Sequence, residues 1–433
     1  MVKFTDISKI LSGKAKKTVH IHGWLHQKRS SGGVQFLLIR DGSGIIQTTL
    51  KKSTVDKKTY EKIGRLPVES TVEIRGTAKK DKRAPGGYEL SIDDIKILHE
   101  VKEEFPIAKK YHGPEFLMDR RHLWIRSKKM QAMLKIRSKI LESAREWFLS
   151  HGYIEFQSPL IITAACEGGS TLFELKYFDR KAYLTQSWQL YAEAAIASVG
   201  KIFTIAPSFR AEKSRTRRHL TEYWHIEAEE PWCDLKKTMK VQEELVTHIL
   251  HELAKELPEE LKIFARDPKD LLKIKPPFPR ITYDKATEML KKEGVLVEWG
   301  EDLTWEQQKV LSFKFKKPFF ITHFPKGAKA FYHKPDPKRP EVTLSDDLQA
   351  PEGYGELIGA GQRIHDLDEL LKRIEEEKLD TKDYEWYIDI RKFGAVPHSG
   401  FGLGLERLVM WICKLDHIRD AIPFPRTLTR IYP

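Results

Sequence analysis

Between Phe209 and Glu229 the chain reads FRAEKSRTRRHLTEYWHIEAE, five basic residues mixed with carboxylates and set just after the largely apolar run IFTI at Ile202 to Ile205. Two alternating segments, FTIAPSFRAE and YWHIEAE, flank this charged turn. Paired antiparallel, they send every second side chain to one face. Arg210, Glu212, Tyr223, Glu227 and Glu229 then share a floor. Charges on a sheet floor are costly to bury unless each meets a partner or a ligand of opposite sign. The fold must therefore build a cleft over this hairpin, or else leave it solvated with ordinary surface ion pairs.

The rest of the chain limits what surrounds the hairpin. Its 433 residues exceed one ordinary domain, so two domains are expected. Lys and Arg number 75 against 62 Asp and Glu, a net charge of +13, which suits a polyanionic partner such as nucleic acid; a basic soluble enzyme is the plain alternative. Cys166, Cys233 and Cys413 are too few and too far apart for a disulfide framework or a thiolate zinc site, and imply a reducing compartment. The start, MVKFTDISKILSGKAKK, has no apolar signal core, and no run approaches the roughly 18 apolar residues of a membrane span. A cytoplasmic protein without membrane contact is expected.

From Thr18 to His99 the pattern is short and β-rich: TVHIHGWLHQ, GGVQFLLIRDG, GIIQTTLKK, a helix-like STVDKKTYEKIGRL, then STVEIRGTAKK and GYELSIDDIKIL. Turn residues fall at Ser30 to Gly33, Asp41 to Gly44 and Ala84 to Gly87. Five strands with one helix between the third and fourth match the order of an OB-fold, a small barrel that binds oligonucleotides on one face. Phe36 alternates with apolar neighbours and is either core or, beside Gln35, Gln47 and several lysines, a platform on which a base stacks.

The polar EEFPIAKKYHG at Glu103 to Gly113 reads as a break, giving a barrel over 1–100, a linker over 101–130 and a larger domain over 131–433. Lys129 to Ser150 carries Met133, Ile136, Ile140, Ala144, Trp147 and Phe148 at helical spacing and stops at Gly152; YIEFQSPLI after it reads as a strand ending near Pro159.

A long helix and a proline-ended strand, then FRAE with RRHLTEY, then GFGLGLERLV at 400 to 409, resemble in order and spacing the three signatures of class II aminoacyl-tRNA synthetases. The barrel is similar to the anticodon-binding domain of the aspartyl, asparaginyl and lysyl subgroup, archaeal type, so the resemblance spans essentially the whole chain. It implies an α+β protein in which an antiparallel sheet flanked by helices follows the barrel, and a homodimer built through the helix and strand at 130 to 162. It also implies activation of an amino acid by ATP with Mg2+, and transfer to tRNA.

The resemblance assigns roles to positions that match. Arg210 bridges the amino-acid carboxylate and the α-phosphate, Arg407 meets the far phosphates, and Arg218 and His219 close the loop over them; an arginine fork suits this by donating bidentately. Glu212 accepts from the adenine amine, and Tyr223, where the family more often has Phe, stacks beneath the ring. Leu220, Gly404, Leu405 and Glu406 complete the ATP site. Glu356 in GYGELIGAGQR is the metal glutamate and Asp347 in SDDLQ the second carboxylate; Gly359, where archaeal aspartyl enzymes tend to carry serine, leaves a place for water. Glu167 on the glycine-bearing loop ACEGGS, with Ser187 and Gln189 of TQSWQLYAEA, takes the substrate ammonium, and Arg363 grips the side-chain carbonyl.

Three positions favour asparagine over aspartate. Ala192 stands where aspartyl enzymes place a lysine, the 348–355 loop has the asparaginyl form, and Glu227 offers an acceptor to an amide NH2 that a carboxylate would meet with repulsion. Trp188, where small residues or proline are usual, narrows the pocket in this reading. tRNA(Asn) is the expected partner, with Phe36 stacking on the central anticodon base, Gln47 bonding it, Glu89 reading the first base and His26 near the third. An aspartyl enzyme, an asparagine synthetase-like paralogue, which would lack the barrel, and a nonenzymatic RNA-binding protein are the alternatives.

Overall fold

The computed structural model describes residues 3–107, 110–167, 171–213 and 216–433. It divides into two compact units between Pro114 and Glu115. In the first, helix α1 (Ile7–Leu11) precedes strands β1 (Thr18–Ser31), β2 (Val34–Arg40) and β3 (Ile45–Lys51), helix α2 (Lys57–Arg65), then β4 (Thr71–Lys80) and β5 (Tyr88–His99). They form a closed barrel in the order β1-β2-β3-β5-β4, with β4 pairing back onto β1. Alternation decides the faces: Leu37, Ile39, Ile46, Leu50 and Ile74 are buried inside, while Phe36 stands half-buried outside that core. The Asp41 carboxylate closes the β2–β3 turn by accepting from the backbone N–H of Ser43 and Gly44.

The second unit starts inside the segment expected to be linker. Short helices at Pro114–Asp119 and Arg121–Trp124 occupy the later part of that segment, and the buried Arg121 guanidinium donates to the carbonyls of Arg419, Ile422 and Pro423 and so ties the entry of this unit to its C-terminal end.

Helix α3 (Lys128–Ser150) begins on Ser127, whose Oγ accepts from Met130 N at 3.3 Å, and stops before Gly152 at φ +77°. All six apolar positions expected on one face are buried, and fully covering a side chain such as Phe148 contributes about 1.5–3 kcal/mol. The strand expected over YIEFQSPLI is only β6 (Ile154–Glu155), parallel to the next strand at Ile202. Past Phe156 the chain leaves that sheet, and Ile161–Ile162 pairs with a separate small sheet; Pro159 has no N–H to continue the ladder.

Helix α4 (Gln189–Val199), β7 (Ile202–Phe209), β8 (Glu222–Pro231) and helix α5 (Leu235–Glu256) follow. Later come β9 (Arg280–Thr282), β10 (Phe319–Thr322), β11 (Ser345–Ala350), β12 (Gly355–Gln362), helix α6 (Glu385–Lys392), β13 (His398–Gly404) and helix α7 (Leu405–Ile412). Among the described residues these strands make one eight-stranded sheet, β9-β10-β11-β12-β13-β8-β7-β6, antiparallel at its centre and parallel in its outermost pair on each side. Residues of α3, α5 and α7 join those of the central strands, among them Phe203 and Ile226 of the hairpin, in one core; the hairpin's charged side chains line a cavity instead.

Candidate active site

Strands β7 and β8 pair antiparallel from Ile202↔Glu229 to Phe209↔Glu222, as the alternation predicts. Arg210, Glu212, Tyr223, Glu227 and Glu229 all line one cavity of about 460 Å3. Ser214 and Arg215 of the turn, and Gly168, Gly169 and Ser170 of the glycine-bearing loop, lie outside the described residues.

The floor is smooth because its central strands lack side chains. Gly359 pairs with Gly402, and Gly361 with Gly400, across β12 and β13. A Cβ on Gly359 would lie 3.8 Å from both Asp347 Oδ1 and Glu356 Oε1, and one on Gly402 would lie 3.7 Å from Glu227 Oε1. Gly400 carries the Glu229 carboxylate so closely that a Cβ would overlap it.

At one end of the floor Arg363 donates from Nε and Nη2 to Glu229 at 3.1 and 3.0 Å, both groups buried. Beside them Glu227 Oε1 accepts from Ser187 Oγ at 2.5 Å and Oε2 from the backbone N–H of Trp188 at 3.2 Å. Burial without a cation in direct contact pushes the Glu227 carboxyl up to about 7. Gln189 Nε2 is committed to Glu193, and Glu167 accepts from Tyr332 Oη. Trp188 borders this end of the cavity, and its indole packs with Ala192, Ile196 and Ile202 and donates to the Phe156 carbonyl. Ala192 sits in that apolar cluster, behind the cavity surface.

At the other end Arg407 pairs with Glu356 at 2.8 Å, and Lys329 donates to both oxygens of Asp347 at 2.9 and 3.1 Å. Burial works against the Glu356 charge, but Arg407, Lys329, Arg218 and Arg210 outweigh it and hold the carboxyl down to about 2. Arg210 Nε and Tyr223 Oη are buried with no hydrogen-bond partner among the described residues, and the Arg210 guanidinium stands 5.8 Å from the Tyr223 ring centre. His219 faces Glu212 at 3.4 Å. Asp347 Oδ1 and Glu356 Oε1 flank Gly359, and two such carboxylates are the hard-oxygen donors that suit a magnesium ion, with Lys329 and Arg407 as the cations that it would displace.

Of the expected positions Leu405 lies outside the cavity lining, while Glu406 and Arg218 border it with their side chains engaged elsewhere. Leu405 is enclosed in the apolar core, since the first residue of α7 points inward. Glu406 pairs with Arg137 at 2.6 Å and accepts from Trp224 N at 3.0 Å, so its carboxylate ties α3 and β8 to α7 although it borders the cavity. Arg218 borders the cavity as well, and its guanidinium donates to the Glu356 carbonyl at 2.7 Å and to Gln308 at 3.2 Å, clamping the hairpin onto β12. Leu220 and Gly404 do border it. Lys329, Gln308, Tyr332 and His225 also line the cavity and were missed: the first three have no motif around them, while His225 lies in the hairpin, on the same face as Tyr223 and Glu227, where the alternation could have found it.

On the barrel, Phe36 lies under the Arg29 guanidinium at 4.5 Å. Gln47 donates to Glu89 at 2.8 Å, and Thr49 donates to the same carboxylate at 3.1 Å. β5 lies directly against β3, which aligns Gln47 with Glu89. His26 sits in β1 at a bulge, where the register with β2 shifts between Leu25 and Gln27.

Comparison with known proteins agrees with this architecture. The family model for class II tRNA synthetases (D, K and N) matches residues 113–428, and that for the OB-fold nucleic acid binding domain matches 19–98. The chain belongs to the class II tRNA synthetases of the D, K and N group. Within that group it is similar to the asparagine–tRNA ligases of Thermococcus gammatolerans, 50% identical over 96% of each chain, and of Thermoplasma acidophilum, 48% identical over 96% of each. The crystal structure of asparaginyl-tRNA synthetase from Pyrococcus horikoshii complexed with asparaginyl-adenylate superposes with a TM-score of 0.97 at 48% identity, covering all of both chains. An aspartyl tRNA synthetase from Entamoeba histolytica superposes at 0.85 with 28% identity, covering all of this chain and 93% of that one.

Proposed function

We propose that the chain joins asparagine to tRNA(Asn) in two steps. The asparagine carboxylate attacks the α-phosphorus of ATP, pyrophosphate leaves, and the asparaginyl-adenylate then gives its acyl group to a tRNA hydroxyl with release of AMP. One observation carries the choice of amino acid: Arg363, a donor held by Glu229, and Glu227, an acceptor held by Ser187 and the Trp188 N–H, line the same end of the cavity. A side-chain amide offers the matching oxygen and NH2, whereas a carboxylate would set a second negative charge against Glu227. With Ala192 behind the cavity, selection rests on this pair.

The other residues divide the remaining work. Glu167, Ser187 and Gln189 receive the ammonium; Arg210 spans the attacking carboxylate and the α-phosphate, where charge grows in the transition state. Arg407 leaves Glu356 for the far phosphates, and Glu212 and Tyr223 take the adenine. Glu356, with Asp347 beside it, would hold Mg2+, whose charge neutralises the phosphates. Leu149, Ile154 and Val199, 55, 49 and 44% exposed, support a homodimer in which a second copy covers them. The barrel face of Phe36, Gln47 and Glu89, with His26 at its bulge, reads the anticodon. Such an enzyme works with translation in the cytoplasm; among the described residues no helix is long and apolar enough to cross a membrane.

The deciding experiment is amino-acid-dependent exchange between ATP and pyrophosphate. At pH 8, above the raised Glu227 value, exchange is expected with asparagine and about tenfold less with aspartate, the scale of one unfavourable charge pair. Equal turnover of aspartate would refute the assignment.

A further inference from the structure

Behind the amino-acid end of the cavity lies a buried cluster that the reaction described above does not use. Glu193 stands one turn after Gln189 on α4 and is 1% exposed. Its Oε1 accepts from Gln189 Nε2 at 3.0 Å. Its Oε2 accepts from Tyr387 Oη at 2.8 Å, from His398 Nε2 at 3.0 Å and from Arg391 Nη2. Glu193, Glu229 and His398 bring their ligand atoms within 4.8 Å of one another, a spacing a metal ion could use. Arg391 on Glu193 and Arg363 on Glu229 already supply the positive charge, so the cluster is a balanced ion network rather than a metal site.

What this network settles is the direction of one amide. The two ends of a glutamine side chain are alike in shape and opposite in hydrogen-bonding sense. An ionised carboxylate only accepts, so the end of Gln189 that faces Glu193 must be NH2, and the other end is the carbonyl oxygen. Burial opposes the Glu193 charge, and Arg391 with His398 outweighs it, holding the carboxyl below the usual range. We propose that Glu193 is a positioning residue for amino-acid recognition: by taking Gln189 Nε2, it makes Gln189 present Oε1 to the substrate ammonium. The flipped amide would set NH2 against an ammonium. This inference rests on the amino-acid reading of the cavity given above.

The test compares asparagine with succinamate, the same molecule without its α-amino group, in the full-length protein. Wild type is expected to bind asparagine more tightly, measured as the exchange KM, than succinamate, measured as an inhibitor Ki. E193Q lets either end of Gln189 face residue 193, and should raise the asparagine KM about tenfold while the succinamate Ki and the ATP KM stay within about twofold. E193D keeps a charge for Arg391 but draws it back from Gln189, and should shift the asparagine KM the same way. Y387F removes a different donor to Glu193 and should leave the asparagine to succinamate ratio unchanged. If E193Q and E193D weaken both ligands by the same factor, or Y387F mimics them, Glu193 serves only the fold and the proposal is overturned. If wild type fails to distinguish the two ligands, the ammonium assignment itself falls, whatever Glu193 does.

Discussion

Replacing Glu227 with glutamine removes a buried charge that the fold pays for and that selection needs, so stability and specificity should move in opposite directions. The carboxyl is raised from an ordinary 4.5 to about 7 by burial. In the unfolded chain it ionises near 4.5, so below that pH both states are protonated and the group costs nothing. As pH climbs from 4.5 to 7 only the unfolded chain gains from ionising, and above 7 the penalty is complete. Linkage puts that penalty at about 3 kcal/mol at pH 8 and ~1 kcal/mol at pH 5. Glutamine keeps both contacts: its oxygen can accept from Trp188 N, and its NH2 can donate to Ser187 Oγ. Glu227→Gln should therefore be more stable than wild type at pH 8, with a melting temperature several degrees higher and an advantage that shrinks towards pH 5. The same protein should lose most of its preference for asparagine over aspartate in exchange. Thermal unfolding at both pH values checks the first part. A variant less stable than wild type at pH 8, or equally advantaged at both, would refute the account of a strained buried carboxylate.

Two further outcomes follow from the geometry. Arg407→Ala should slow adenylate formation by on the order of a hundredfold with an unchanged circular dichroism spectrum, and normal exchange would remove Arg407 from the phosphate site. Phe36→Ala should cost about 1–3 kcal/mol in tRNA charging while leaving tRNA-free exchange and the melting temperature unchanged; a loss of about 3 kcal/mol in stability without selective loss of charging would return Phe36 to a packing role.

The hairpin was legible because period-two alternation fixes which side chains share a face, and the barrel order because turn residues separate its strands. Side-chain engagement was not. The signature around Glu406 marks a helix start, yet whether a carboxylate there turns to the cavity or to Arg137 depends on a helix more than 250 residues earlier in the chain. Lys329 is one lysine among many until folding sets it against Asp347. The packing of Trp188 was hidden for a similar reason, since Ala192, which shares its apolar cluster, lies one turn further along and acts through volume rather than pattern.

The glycine rows of β12 and β13 give the site an uneven tolerance to inheritance. Alanine at Gly359 or Gly402 would meet its neighbours at 3.8 and 3.7 Å, ordinary contact distances, so a lineage can try side chains there and shade the metal or amide end of the cavity by small steps. Alanine at Gly400 would overlap the Glu229 carboxylate and come 2.5 Å from the Ala228 carbonyl, and at Gly361 it would press into the His333 ring. Those two positions are closed to gradual change, although neither carries a side chain. The carboxylate that holds Arg363 is guarded by a residue that has nothing to offer but the absence of a methyl group.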